Sequence, residues 1–233
     1  MRSLWQSLPA DVRRAVVLVC AADAVVGAAF GALTVGAGLP LWLPVALSLA
    51  VFAGAAQFLF VGVIAAGGTP LSAVAAGLLV NARLVPLGLA VGDLLGPGWL
   101  RRLAGAHLLV DETVAFTLAQ GTAGARRAAY WTCGAALFVC WNLGVLAGAF
   151  GGALAPDTAD LGLDAAFPAV LLALVLPTLA DGATRRAALV GAVIAVATAL
   201  VLPAGVPVLL ALLGVLAALP GRRPPQTTQG GFP

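Results

Sequence analysis

Seven polar side chains interrupt stretches of the sequence that are otherwise apolar, and their types are those that bind charged solutes or exchange protons. They are Asp23, Gln57, Asn81, Arg83, Asp111, Glu112 and Asn142. Carboxylates hold a proton or an ammonium group, a guanidinium binds carboxylates, and amides donate and accept hydrogen bonds. Polar residues are costly inside a membrane, so in that setting they predict a functional site. We interpret these seven residues as a candidate site for a small solute or a proton.

Arg83 needs a negatively charged partner because arginine does not lose its charge. Asp23, Asp111 and Glu112 are the acidic residues at comparable depth in their apolar stretches. Asp111 and Glu112 are adjacent and point about 100° apart on a helix, so one can pair with Arg83 while the other titrates. Two interpretations stay open: an ion pair that only fixes helix packing, or participation in a solute or proton site.

His107 lies four residues before Asp111, a spacing that places both side chains on one face of a continuous helix. This arrangement suits a hydrogen-bonded relay. The alternative is an interfacial histidine without function, because Arg101 and Arg102 mark a nearby helix end.

Two short motifs predict irregular helices. The run AGAAQF at 53–58 places four small residues beside Gln57. Either these residues pack helices closely with the amide as interhelical glue, or the helix unwinds so that its carbonyls and Gln57 face a substrate. Pro86 follows Asn81 and Arg83, and a proline frees a backbone carbonyl, so a discontinuous helix is expected there.

If the solute is an amino acid, the two irregular segments predict a site between them near the middle of the membrane. The N-terminus of a half-helix would hold the carboxylate group of the solute. Asp23, Asp111 or Glu112 would hold its ammonium group or a proton.

Enzymatic chemistry is a poor match to this inventory of residues. The chain has one histidine and no GxSxG motif, so it lacks the parts of a serine nucleophile site. Cys20, Cys133 and Cys140 have no metal-binding spacing and are expected to pack as small apolar residues. We therefore expect no enzyme activity, no metal and no cofactor.

The elements that position these residues must be membrane helices. Of the 233 residues, 62% are hydrophobic and 9% are charged, whereas soluble domains carry about 25% charged residues. All twelve basic residues are arginines, and most of them flank apolar runs rather than form a basic groove with aromatics, so nucleic acid is not an expected partner. The composition predicts an all-α, polytopic integral membrane helical bundle.

A membrane-spanning helix needs about 20 apolar residues, and turn residues and charges divide the chain into about seven or eight such segments, some of them broken or re-entrant. The segments are 15–36, 41–66, 70–92, 103–120, 128–150, 164–180, 186–203 and 205–220. They form one membrane domain over 15–220. Residues 1–14 are expected to be a cytoplasmic N-terminus, and 221–233 a disordered cytoplasmic tail.

Arginine pairs predict the orientation. With an even number of spans, most arginines fall on one side, which the positive-inside rule makes cytoplasmic together with both termini. Arg101 and Arg102 fall on the opposite side in this scheme, so either the segment 67–102 is re-entrant or the rule is broken once. Glycines spaced four apart, Gly27 and Gly31 in one span and Gly144, Gly148 and Gly152 in another, predict helix crossings. Asp164 is expected to cap the sixth segment.

The order of the motifs resembles the AzlC-type permeases, the large subunits of branched-chain amino acid exporters. The matching stretches are VFAGAAQFLFVGVIAAGG at 51–68, NARLVPLGLA at 81–90, LLVDETVAFTLA at 108–119, WNLGVLAGAF at 141–150 and LGLDAAFPAVLLALVLP at 161–177. Leu84 stands where members of that family often have a histidine.

The resemblance implies a permease in a bacterial cytoplasmic membrane that exports branched-chain or related small amino acids. It also implies a small AzlD-type membrane subunit as partner and the proton gradient as energy source. A channel or a structural subunit of a membrane complex is the alternative, since irregular backbone in a membrane also lines pores.

Overall fold

The computed structural model describes Trp5 and residues 8–154, 172, 176–202 and 206–218, and every regular element in these ranges is helical. The α-helices are α1 (Ala10–Gly36), α2 (Trp42–Ala50), α3 (Gly54–Ala65), α4 (Pro70–Asn81), α5 (Leu84–Val91), α6 (Trp99–His107), α7 (Asp111–Leu118), α8 (Ala123–Leu154), α9 (Gly182–Ala199) and α10 (Val206–Ala211). Short 3₁₀ helices cover Gly92–Leu95, Leu176–Ala180 and Leu212–Ala218. The predicted all-α membrane bundle is confirmed.

Helices α1, α8 and α9 are each long and apolar enough to cross a membrane. A fourth candidate crossing is α4 together with the segment from Leu84 to Leu95, which are bent by 43° at the break between them. The discontinuous helix expected around Asn81 and Pro86 is therefore present.

Helices α1 and α8 form the central pair, and they run parallel. A Cβ added at Gly144 would meet the carbonyl oxygen of Ala24, and one added at Gly148 would meet that of Ala28. The contact positions advance together by four residues, which requires parallel axes, and only glycine permits so close an approach of two backbones. The arginines that begin both helices consequently lie at one end of the bundle, called here the arginine end.

Helices α2 and α3 form a hairpin that enters from the end opposite the arginines and returns to it. The amide nitrogen of Gln57 donates to the carbonyl oxygens of Val51 and Leu47, at 2.6 and 3.4 Å. Ten residues of continuous helix would separate Gln57 from Leu47 by about 15 Å, so the chain must reverse between them. Its turn lies at mid-height of α8, because the ring of Phe52 packs 5.3 Å from that of Phe138.

Helices α6 and α7 form a second hairpin, which enters and leaves at the arginine end. Before α6, Gly96 lies beside the guanidinium of Arg127, and after α7 the carbonyl oxygen of Gln120 accepts a hydrogen bond from Arg126. Between them, Leu108 packs against Gly134, deeper along α8. The bent pair α4 and α5 therefore connects the two hairpins and takes the chain from the opposite end of the bundle to the arginine end.

Two predicted spans need correction. The segments 41–66 and 103–120 do not run across the bundle, because residues 51–53 and 108–110 leave the helical conformation and reverse the chain. Arg101 and Arg102 were expected opposite the other arginines, and this is wrong for the same reason: the hairpin of α6 and α7 returns to the arginine end. The segment 67–102, offered as the re-entrant one, contains the bent crossing instead.

At the C-terminal side, α9 packs against the segment 206–218 through close glycine contacts at Gly191 and Gly214. This segment also touches α3 and α4 through Val208 and Leu209. Most of the predicted segment 164–180, the cap at Asp164, the C-terminal tail, Arg2, Arg222 and Arg223 lie outside the described residues.

Candidate functional site

A cavity of about 460 Å³ lies where three breaks in the helices meet. The turn between α2 and α3 contributes residues 52–55, the break between α4 and α5 contributes Asn81, Arg83 and Leu84, and the turn between α6 and α7 contributes residues 110–112. The continuous helices α1 and α8 close the remaining sides. All three breaks therefore place backbone and polar groups in one space.

Five of the seven predicted site residues line this cavity: Asp23, Asn81, Arg83, Asp111 and Glu112. A guanidinium nitrogen of Arg83 lies 2.8 Å from a carboxylate oxygen of Asp111. The two side chains are 53% and 39% exposed, so this pair lies at an open edge of the cavity rather than deep in the bundle. Within the described part of the chain, Asp23 and Glu112 form no ion pair.

The rest of the cavity wall is apolar. It is built from aliphatic and aromatic side chains of α1, α3, α8 and the two hairpin turns: Val19, Val26, Phe52, Phe58, Val110 and Trp141. Behind this wall, Phe30 stacks on Trp141 and packs edge-on against Phe58. The wall therefore offers an apolar surface against which an aliphatic group can pack.

The N-terminus of α3 opens into the cavity through Ala53, Gly54 and Ala55. Ala53 supplies no side-chain hydrogen bond to cap the helix, and the first turn contains no acidic residue. The first amide groups of a helix have no partner within the helix and carry a partial positive charge. By contrast, the N-terminus of α7 already has Asp111 and Glu112 in its first turn.

Gln57 and Asn142 lie behind the cavity wall. The buried Gln57 side chain donates to carbonyls of Leu47 in α2 and of Val51 directly after it, and its oxygen accepts a hydrogen bond from the indole nitrogen of Trp141 at 3.2 Å. Asn142 accepts from the Ser48 hydroxyl at 2.6 Å and donates to the carbonyl of Phe138. Both amides thus fasten the hairpin of α2 and α3 to α8.

His107 ends α6, whereas Asp111 begins α7, so the shared helical face that the relay hypothesis required does not exist. Instead the imidazole packs between aromatic rings, 5.4 Å from the Phe138 ring centroid and 6.4 Å from that of Phe52. The tips of the two hairpins therefore touch through Phe52 and His107.

Three contributors to the site were not predicted. Trp141 forms part of the wall and anchors Gln57, Ser48 anchors Asn142, and Leu84 lines the cavity beside Arg83. Trp141 directly precedes the predicted site residue Asn142, and this neighbourhood was the sequence feature that could have identified it. Nothing in the sequence pairs Ser48 with Asn142, because 94 residues separate them.

The fold and the cavity define a polytopic membrane protein with a polar site between discontinuous helices. The chain matches the family model described as AzlC protein over residues 19–155, more than half of its length, and it belongs to the AzlC family. This is a transporter family, associated with branched-chain amino acids. Comparison with curated proteins and with solved structures gave no match.

Proposed function

We propose that this protein is the large subunit of a permease that exports branched-chain or related small amino acids from bacterial cells. The observation that carries the proposal is the cavity, in which an uncapped helix N-terminus and unpaired carboxylates share one apolar space. An amino acid has the same pattern of charges: a carboxylate, an ammonium group and, in the branched-chain case, an aliphatic side chain.

The amide groups of Gly54 and Ala55 would bind the carboxylate of the solute, because a helix N-terminus favours an anion. Asp23 or Glu112 would bind the ammonium group, since Asp111 already neutralises Arg83. The aliphatic side chain would pack on Phe58 and Trp141. A cavity of about 460 Å³ holds a solute of this size with room for water.

Proton coupling would reside in the same carboxylates. Asp23 and Glu112 face one cavity, and two unpaired negative charges in a confined space repel each other. A proton on one of them would relieve this repulsion, and an ammonium group entering the cavity would release the proton. Leu84 cannot take part, so this chain would handle protons without the histidine of its relatives.

The experiment is amino acid efflux from cells loaded with leucine-containing dipeptides, with the gene expressed alone and together with a small AzlD-type subunit. We expect faster loss of internal leucine, isoleucine and valine, and dependence on the second subunit. If these amino acids are unaffected while another solute falls, the branched-chain assignment is wrong.

Substitutions then test the site. Asp23→Asn and Glu112→Gln should each lower efflux at least about tenfold, the factor that corresponds to the loss of one interaction of about 1.4 kcal/mol. Asp93→Asn is the matched control, because Asp93 is an exposed carboxylate outside the cavity. Equal efflux by all three variants, at equal amounts in the membrane, would refute the role of the cavity.

A further inference from the structure

Four arginines from two separate helices lie close to one loop at the arginine end, and three of them contact it. Arg101 and Arg102 lie in the first turn of α6, and Arg126 and Arg127 are the fourth and fifth residues of α8. The loop that precedes α6 contains Gly96, with φ of 82°. A Cβ at Gly96 would lie 2.5 Å from a terminal nitrogen of Arg127 and 3.5 Å from Cδ of Arg101. We call these four residues the arginine cluster.

The arginine cluster has no negatively charged partner in the ranges that the structure describes. Arg126 donates through Nε to the carbonyl oxygen of Gln120 at 2.9 Å, and Arg102 donates through Nε to that of Gly96 at 3.5 Å. Both bonds leave the terminal guanidinium nitrogens unused. Asp93, although close in sequence, forms no ion pair with them. Four like charges held together favour an external anion with several oxygens.

Exposed apolar side chains of helix α6 lie next to the arginine cluster, where that anion would bind. On its outer side Trp99, Leu100 and Leu103 are 72%, 63% and 61% exposed. A short helix with arginines on one side and a tryptophan and leucines on the other is typical of the boundary between headgroups and acyl chains. An anion bound here would therefore be joined to a hydrocarbon tail rather than free in solution.

We propose that the arginine cluster binds the phosphate headgroup of an anionic phospholipid, whose acyl chains lie along the outer side of α6. The terminal guanidinium nitrogens of Arg102 and Arg127 donate to the phosphate oxygens, and Trp99 packs against the upper part of the acyl chains. Because α6 leads directly to the hairpin turn that carries Asp111 and Glu112, the lipid stabilises the position of this hairpin.

The test is lipid retention by the purified full-length protein, measured by native mass spectrometry during titration with phosphatidylglycerol or phosphatidylcholine of identical acyl chains. We expect phosphatidylglycerol to bind at least about tenfold more tightly. The double substitution Arg102→Gln with Arg127→Gln should weaken its binding about 30-fold, since each basic residue near an anionic surface contributes about a factor of five, or about 1 kcal/mol. The matched control, Arg185→Gln with Arg186→Gln in α9, removes the same charge and should leave binding unchanged.

Three results would overturn the proposal. The first is equal retention of both lipids by the wild-type protein. The second is equal loss of phosphatidylglycerol in the two double variants. The third is displacement of the lipid by inorganic phosphate at low millimolar concentration, which would identify a site for a soluble anion. If the first double variant does not fold, Arg102→Gln alone replaces it, with an expected loss of about fivefold. Unchanged affinity in that variant would equally overturn the assignment.

Discussion

The parallel contact between α1 and α8 makes a sharp prediction for Gly148→Ala. The backbone carbonyl of Ala28 occupies the space that the new methyl group would need. A carbon and a carbonyl oxygen normally approach to about 3.3 Å, so the two helices must separate by roughly 1 Å or more at this point. The obstacle is backbone, and shortening the side chain with Ala28→Gly should therefore not rescue the variant.

Gly151→Ala provides the magnitude through a matched comparison. Gly151 lies in the same helix three residues later, and a Cβ added there meets nothing within 4 Å. Both substitutions gain the same helix propensity, about 1 kcal/mol, so their difference isolates the steric term. Overpacking of this kind costs about 1–3 kcal/mol. In a chain of this length each kcal/mol moves the melting temperature by about 2–4 °C.

Thermal unfolding of both purified variants in one detergent is the measurement. Gly148→Ala should melt about 2–12 °C below Gly151→Ala, and Gly151→Ala should equal or exceed the unmodified protein. If both variants melt together, α1 and α8 are not in backbone contact at this position, and the parallel arrangement derived from the glycine ladder fails with it.

Three further predictions concern separate elements. Cys20 and Cys140 continue the ladder one turn earlier. Mild oxidation by a disulfide reagent should therefore join them, which is detected as a linked pair of peptides after proteolysis. A pair that stays reduced would contradict the register of α1 and α8. Gln57→Leu leaves the buried indole nitrogen of Trp141 without its acceptor, and the melting temperature should fall by an amount that corresponds to about 1–3 kcal/mol. Hydrogen bonds from the backbone N–H and the hydroxyl of Thr184 lower the pKa of Asp181 below its ordinary 3.8. Its contribution to α9 is thus present above pH 4 and is lost as the pH falls through the lowered pKa, which amide exchange in the first turn of α9 would detect.

Composition was sufficient to predict the class of fold. The charged residue and the proline were sufficient to predict one of the three helix breaks. Asn81, Arg83 and Pro86 marked the break between α4 and α5, because a membrane does not tolerate such residues in an ordinary helix. The reversals at 51–53 and 108–110 contain no proline and are as apolar as the spans around them. Length and hydropathy cannot distinguish a 25-residue crossing from a hairpin of two half-helices.

The polar residues of the site were visible for a similar reason: each was out of place in an apolar run. The separate role of each residue could not be predicted from the sequence. Gln57 and Asn142 are as improbable in a membrane as Asp23, yet their partners are Trp141 and Ser48, far away in sequence. The roles become distinguishable only from the contact between α8 and the hairpin of α2 and α3. That contact shows which residues face the cavity and which ones hold its wall in place.

The two hairpins also constrain how this protein can be made. Helices α2, α3, α6 and α7 contain 8 to 12 residues, which gives them lengths of about 12–18 Å, whereas the hydrocarbon layer is about 30 Å thick. None of them can reside alone in the lipid, and their turns would expose unpaired backbone groups there. They must enter a framework that α1 and the later-synthesised α8 have already formed. Assembly of the cavity consequently follows the synthesis of α8. A chain truncated before α8 should retain α1 in the membrane, while its hairpins are left for proteolysis.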